Sequence, residues 1–196
     1  MIVGMAIGLA LVIQAFVIKP YQIPSESMEP TLDPGQRVLV NRFGYRFGDP
    51  SVGDVVVFHP PVGAVPADRS DPNQPLGGQC GVEKNSDQVC PEPHDEEANT
   101  NFIKRIVAGP GDRLRIEDGI PIVNGEPAQE DFIVPCGNGG GCQFPEEIEI
   151  PPDHYFMMGD NRGHSDDSRF WGPVPRDWII GEAFFTYWPV NRVGLL

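Results

Sequence analysis

Apolar residues along this chain fall into two patterns, and each predicts a different kind of element. Met1 to Ile18 (MIVGMAIGLALVIQAFVI) is one run without a charge, interrupted only by the amide of Gln14. As a helix rising ~1.5 Å per residue it would measure roughly 27 Å, close to the hydrocarbon thickness of a bilayer. The run has no basic n-region, and Phe16-Val17-Ile18-Lys19-Pro20-Tyr21 holds no small-residue cleavage site. A retained N-terminal transmembrane helix is therefore expected rather than a cleaved leader. Beyond Lys19 the apolar residues shorten to runs of about four to eight, rich in Val, Ile and Phe and bounded by turn residues, which is the pattern of short strands.

Arg37–Asn41 and Asp54–His59 read as strands, the second stopped by Pro60-Pro61. Asn101–Ala108 is another, closed by Gly109-Pro110-Gly111-Asp112. Arg113–Ile116 and Ile120–Val123 flank Glu117-Asp118-Gly119, and Asn124-Gly125 follows, which predicts a short meander with tight turns. Tyr155–Met158 runs into a polar loop from Gly159 to Arg169, followed by Trp171-Gly172-Pro173-Val174 and a closing strand over Ala183–Trp188. The predicted class is all-β and antiparallel, with an anchor over residues 1–18 and a folded domain over residues 20–196. Within that domain Val62 to about Asn101 turns to Pro, Gly, Asp, Glu, Gln and Asn. Such a stretch cannot build a core of its own and predicts an acidic surface insertion.

Composition agrees with the strand reading, since 23 Gly and 22 Pro among 196 residues suit a turn-rich chain. A formal net charge of −14 excludes nucleic acid as a partner, because polyanion binders need clustered Lys and Arg. The cysteines form two close pairs, Cys80 with Cys90 and Cys136 with Cys142, the second spanning Gly137-Asn138-Gly139-Gly140-Gly141. Four cysteines allow three pairings, of which these local ones are favoured. Neither pair has zinc-ligand spacing and no histidine lies at a matching interval, so no metal is expected. Disulfides place the domain outside the cytoplasm. They decide an orientation on which basic residues are nearly silent, and a short basic tail before Met1 is expected.

Candidate chemistry starts at Ile23-Pro24-Ser25-Glu26-Ser27-Met28-Glu29-Pro30-Thr31-Leu32. Two prolines bracket a pair of serines and hold a hydroxyl stiffly in a turn. Ser27, the candidate nucleophile, needs a base. Strand alternation puts Lys104 on the face of Phe102 and Ile106, with Arg105 on the other. At an unperturbed pKa near 10.4, on the order of 0.1% of a lysine is neutral near pH 7.4. Burial would have to lower that value by about two to three units, roughly 3–4 kcal/mol. The competing reading is an edge-strand lysine that reaches solvent.

A histidine triad is the rival. His59, His94 and His154 look like loop residues, whereas His164 lies in the polar loop beside Asp166 and Asp167. The oxygens of Asp160, Asn161, Asp166 and Asp167 do not follow a calcium-loop spacing. An internal pair between Asp167 and Arg169 accounts better for that loop.

Taken together, these residues make the chain similar to the bacterial type I signal peptidases, membrane-bound serine proteases that remove signal peptides from exported preproteins. The resemblance runs in order through the anchor, Pro24–Leu32, Gly53–Phe58, Lys104–Asp112, Gly159–Arg162 with Ser165, Asp167–Arg169, and Trp171-Gly172. It implies two antiparallel sheets, an apolar surface resting on lipid, and no cofactor. It implies that Ser27 attacks the scissile carbonyl with Lys104 as general base, and that the Ser27 N–H and Ser25 hydroxyl hold the oxyanion. Ser165 would orient the lysine, Gly159 would leave room for its side chain, and Asp167 with Arg169 would brace the loop, supported by Asp160, Asn161 and Arg162. Met28 is a candidate for substrate binding. The implied substrates are secretory preproteins with small residues at the first and third positions before the cut. The implied location is the cell membrane, single-pass, with the catalytic domain outside and the translocation machinery a candidate neighbour. Alternatives are a relative serving a narrow client set, or an inactive tethered binding domain of the same fold. Self-cleaving repressors share the Ser-Lys pair, but this acidic chain lacks the length and charge for their DNA-binding domain.

Overall fold

The structure, a computed structural model, describes residues 17–64, 80–93, 95–137 and 141–196. All but the last two residues of the expected anchor lie outside the described residues, as does His94. Among the described residues no helix is long and apolar enough to cross a membrane. The strands, in chain order, begin with β1 (Ile18–Gln22), β2 (Arg37–Asn41), β3 (Val55–Phe58) and β4 (Phe102–Ala108). A hairpin group follows, with β5 (Arg113–Glu117), β6 (Ile120–Val123), β7 (Glu126–Pro127) and β8 (Phe144–Glu149). Then come β9 (His154–Met158), a one-turn helix α1 (Ser168–Trp171), β10 (Val174–Pro175), β11 (Ile179–Trp188) and β12 (Gly194–Leu195).

Two antiparallel sheets result. The larger runs β1-β2-β11-β3-β4-β9-β10 with β12 attached to β11, and the smaller runs β7-β6-β5-β8. Alternation explains most of their facing. In β2, Val38 and Val40 are buried while Arg37 is exposed, and in β5 Leu114 and Ile116 are buried between exposed Arg113 and Glu117. β3 is buried at all four positions because it is flanked by β11 and β4. Tight turns join β5 to β6 through Asp118-Gly119 and β6 to β7 through Asn124-Gly125, all four residues at positive φ. That is the backbone a two-residue hairpin loop requires.

Three readings need correction. Ile18 pairs with Asn41 at the start of β1, so the folded domain begins inside the run assigned to the anchor. Pro20 concealed that strand, which tolerates it as a sheet edge. β8 was concealed by Pro145 and its glutamates, although Phe144 and Ile148 are buried in the core of the smaller sheet. The stretch from Val62 to Asn101 is more than a surface insertion. Val89 is fully buried in the core with Leu114 and Phe156, and Gln88 forms a parallel bridge to Glu146 of β8. Val89, next to a disulfide, and Ala64 near its start dock described parts of this polar segment in the core, which composition alone could not show.

Candidate active site

Ser27 sits in a one-turn 3₁₀ helix, Glu26–Met28, entered from Ser25 in extended conformation. The turn is held from beneath by Met28, which is fully buried among Ile23, Leu32 and Val38. Met28 is therefore a core residue with no surface for a substrate, contrary to the expectation above. The Ile23 N–H donates to the Gln36 carbonyl and the Gly35 N–H to that of Ile23, which fixes the approach to the serines. N–H groups at the start of such a turn have no carbonyl partner within it. Ser25 Oγ lies 3.3 Å from Ser27 Oγ.

Lys104 comes from β4, paired opposite Val56 of β3, and is only 5% exposed. Its Nζ donates to Ser27 Oγ at 2.6 Å across 77 residues of sequence. Burial pushes the amine down from 10.5 to about 8, even though Asp167 and Asp166 pull the other way. The Lys104 ammonium also lies 5.9 Å from the centre of the Phe102 ring.

The loop after β9 closes over this pair. Gly159 has no room for a side chain, because a Cβ there would overlap the Ser27 carbonyl oxygen and the Ser165 side chain. The atoms nearest that glycine thus belong to the two serines rather than to the lysine. The Asn161 N–H donates to the Ser27 carbonyl at 3.1 Å, and its side-chain amide reaches the Glu26 carbonyl at 3.3 Å. Asp160, fully buried, accepts from Arg105 Nε at 2.9 Å and Nη2 at 2.7 Å, and from the Thr31 hydroxyl. Asp167 and Arg169 are both fully buried and joined by two bonds, Nε at 2.8 Å and Nη2 at 2.9 Å. Burial alone would raise the Asp167 carboxyl, but Arg169 and the Gly159 N–H hold it below its usual value. Arg169 further donates to the carbonyls of Arg162, Ser165 and Gly141. Arg162, also buried, reaches the carbonyls of Gly159 and Gly119 and pairs with Glu130 at 2.7 Å.

These residues occupy a chain whose residues 1–188 match the family model described as signal peptidase, peptidase S26. The chain belongs to this family. It is 35% identical over 199 residues to a signal peptidase I of Leptolyngbya laminosa, covering 99% of this chain and 80% of that protein. A probable signal peptidase I-2 of Synechocystis is 38% identical over 193 residues, covering 97% and 72%. The chain also spans 47% of thylakoidal processing peptidase 1 of Arabidopsis thaliana, at 33% identity over 96% of its own length. A solved signal peptidase I from Enterococcus faecalis aligns over 69% of this chain at 20% identity with a TM-score of 0.40, too loosely to weigh. Family membership makes the chain a peptidase.

Within this signal peptidase family chain, most of the singled-out residues converge on one place. Ser25, Ser27, Lys104, Gly159, Asn161 and Ser165 meet at the serine turn, with Asp160, Arg162, Asp167 and Arg169 behind them. Ser165 departs from its expected part, since its buried Oγ makes no hydrogen bond and does not reach the lysine amine. His164 is 68% exposed, with Nδ1 3.7 Å from Glu26 Oε1. His59 and His154 bond the carbonyls of Thr100 and Pro152. Cys80 is bonded to Cys90 and Cys136 to Cys142, and the second ring contains the Gly141 that Arg169 holds. Thr31, Arg105 and Glu130 were missed. Arg105 carried a weak signal, a charged side chain turned the opposite way from its neighbour Lys104.

Proposed function

We propose that the chain is a membrane-anchored serine endopeptidase that removes signal peptides from exported preproteins after small residues, with Ser27 as nucleophile and Lys104 as general base. The observation that carries this reading is the 2.6 Å contact between Ser27 Oγ and a buried amine pushed down to about 8. With that value roughly a fifth of the lysine is neutral at pH 7.4, a workable population for a base. Neutral Lys104 takes the Ser27 proton as Oγ attacks the scissile carbonyl, and the resulting ammonium returns it to the leaving amine. Lysine then deprotonates the water that hydrolyses the acyl-enzyme. The oxyanion is stabilised by the Ser27 N–H and the Ser25 hydroxyl, and loss of one such donor typically costs about 3–4 kcal/mol.

A groove of about 200 Å³ lies beside the serines, between Tyr21–Pro24 and Thr100–Ile103. Extended backbone on one wall and the start of β4 on the other suit a substrate bound as a strand. Trp188, Val190, Val193 and Leu195 are exposed at the β11–β12 end, and this apolar group supports a face resting on lipid, as the Met1–Ile18 run supports an anchor. The two disulfides favour an oxidising compartment outside the cytoplasm.

The test is turnover of a peptide carrying an Ala-x-Ala cut site. Lys104→Ala should abolish cleavage while His164→Ala leaves most of it. The reverse outcome would assign the proton transfer to a histidine and sink the proposal.

A further inference from the structure

The segment Arg42-Phe43-Gly44-Tyr45-Arg46-Phe47-Gly48 leaves β2 as a firmly held turn. Asn41 Oδ1 accepts from the N–H groups of Phe43 and Gly44, and the Tyr45 hydroxyl donates to Asp54 at 2.7 Å. Arg176 donates to the carbonyls of Tyr45 and Gly48 and to Asp49. Two guanidiniums are left over. Arg42 and Arg46 are exposed and, among the described residues, their side chains have no hydrogen bond or ion pair. Both line a cleft of about 360 Å³ whose other walls include His59, Trp178 and Arg176, with Asp177 the one carboxylate at its edge. A cleft bearing three arginines is unexpected on a chain of net charge −14.

Two further observations identify what the cleft takes. The Arg42 N–H donates to the carbonyl of Val17, the first described residue and the second-last of the apolar run, so the turn abuts the point where that run meets the domain. Beside the arginines, Phe43 and Phe47 lie with ring centres 4.9 Å apart and are 44% and 79% exposed. Unpaired guanidiniums next to exposed aromatic rings match the phosphate level of a bilayer, where rings enter the interface and cations meet anionic headgroups.

We infer that the Arg42–Arg46 cleft binds the phosphate of an anionic phospholipid headgroup, with Phe43 and Phe47 inserted beside it. This rests on the membrane-anchored reading above. Arg42 and Arg46 supply forked donors to the phosphate oxygens, and the binding weakens as salt rises.

The experiment titrates the full chain, held in micelles of an uncharged detergent, with short-chain phosphatidylglycerol, short-chain phosphatidylcholine or inorganic phosphate, by calorimetry. Phosphatidylglycerol is expected to bind about tenfold or more tightly than phosphatidylcholine. The R42Q/R46Q variant should erase that preference with an unchanged melting temperature, and R42K/R46K should keep part of it. Equal affinity for the two lipids, or a preference that survives R42Q/R46Q, overturns the site. Inorganic phosphate binding as tightly as phosphatidylglycerol overturns the lipid assignment. The anchor is tested separately by whether alkaline carbonate releases the full chain from membranes, so failure of one reading is not mistaken for failure of the other.

Discussion

Lys104, the base proposed above, would act as one only because it is kept dry, and that leaves a signature in both rate and stability. The amine is active when neutral, so kcat/KM should rise with pH around a midpoint near 8, checked by initial rates across pH 6 to about 9.5. Below that midpoint the folded protein buries a charge. Between about 8 and the ordinary value of 10.5, the unfolded chain holds a proton that the folded one has released, so stability climbs with pH across that window. Lowering a lysine from 10.5 to about 8 corresponds to roughly 3 kcal/mol. Lys104→Met should therefore raise the melting temperature at pH 7 while abolishing turnover. Gly159→Ala should act without touching the dyad side chains, because the added carbon displaces the Ser27 carbonyl. A shift of about 1 Å in the nucleophile can cost about a hundredfold in kcat, with the fold unchanged by circular dichroism. The serine turn was legible in the sequence because its prolines are local, whereas alternation left Lys104 open between a buried amine and an edge lysine, and only the family resemblance pointed to their pairing. Thr31 and Arg105 were not, since Asp160 gives them their role from 129 and 55 residues away.

At the scale of elements, the loop from Gly159 to Arg169 is held by two arginine–carboxylate pairs of unequal exposure. Arg105–Asp160 ties it to β4, with 15% of the arginine side chain exposed, whereas Asp167–Arg169 is wholly enclosed at the N-terminus of α1. Arg169→Ala would leave a buried carboxylate without its partner, which costs about 3–5 kcal/mol. A lowered urea midpoint with an unchanged slope would register the loss. β2, with its clean alternation, and β6, set between two tight turns, were legible to the residue. β1 and β8 were hidden by prolines that sheet pairing overrides, and Ser168–Trp171 turns out helical because Asp167 caps it, accepting from the Arg169 N–H at 3.3 Å.

For the molecule as a whole, the disulfides bear on function as well as on endurance. The ring closed by Cys136 and Cys142 offers the Gly141 carbonyl to Arg169 at 2.8 Å, and the Cys142 carbonyl to the Gly119 N–H of the β5–β6 turn. Replacing both cysteines by serine should lower stability by about 2 kcal/mol. It should also reduce turnover, as should reductant added to the unmodified protein. A variant with full activity and unchanged melting would show that the ring is ornamental. Cysteine spacing made the pairing readable beforehand, but the join between the polar segment and the core depends on where Val89 lands, which only folding determines. The partnership of Ser27 with Lys104 spans 77 residues, and the loop from Gly159 that shelters it is synthesised later still. On the mechanism proposed above, a ribosome making this chain therefore carries a harmless polypeptide for most of its synthesis, and cutting power arrives only once the last stretch from Gly159 has been made and folded.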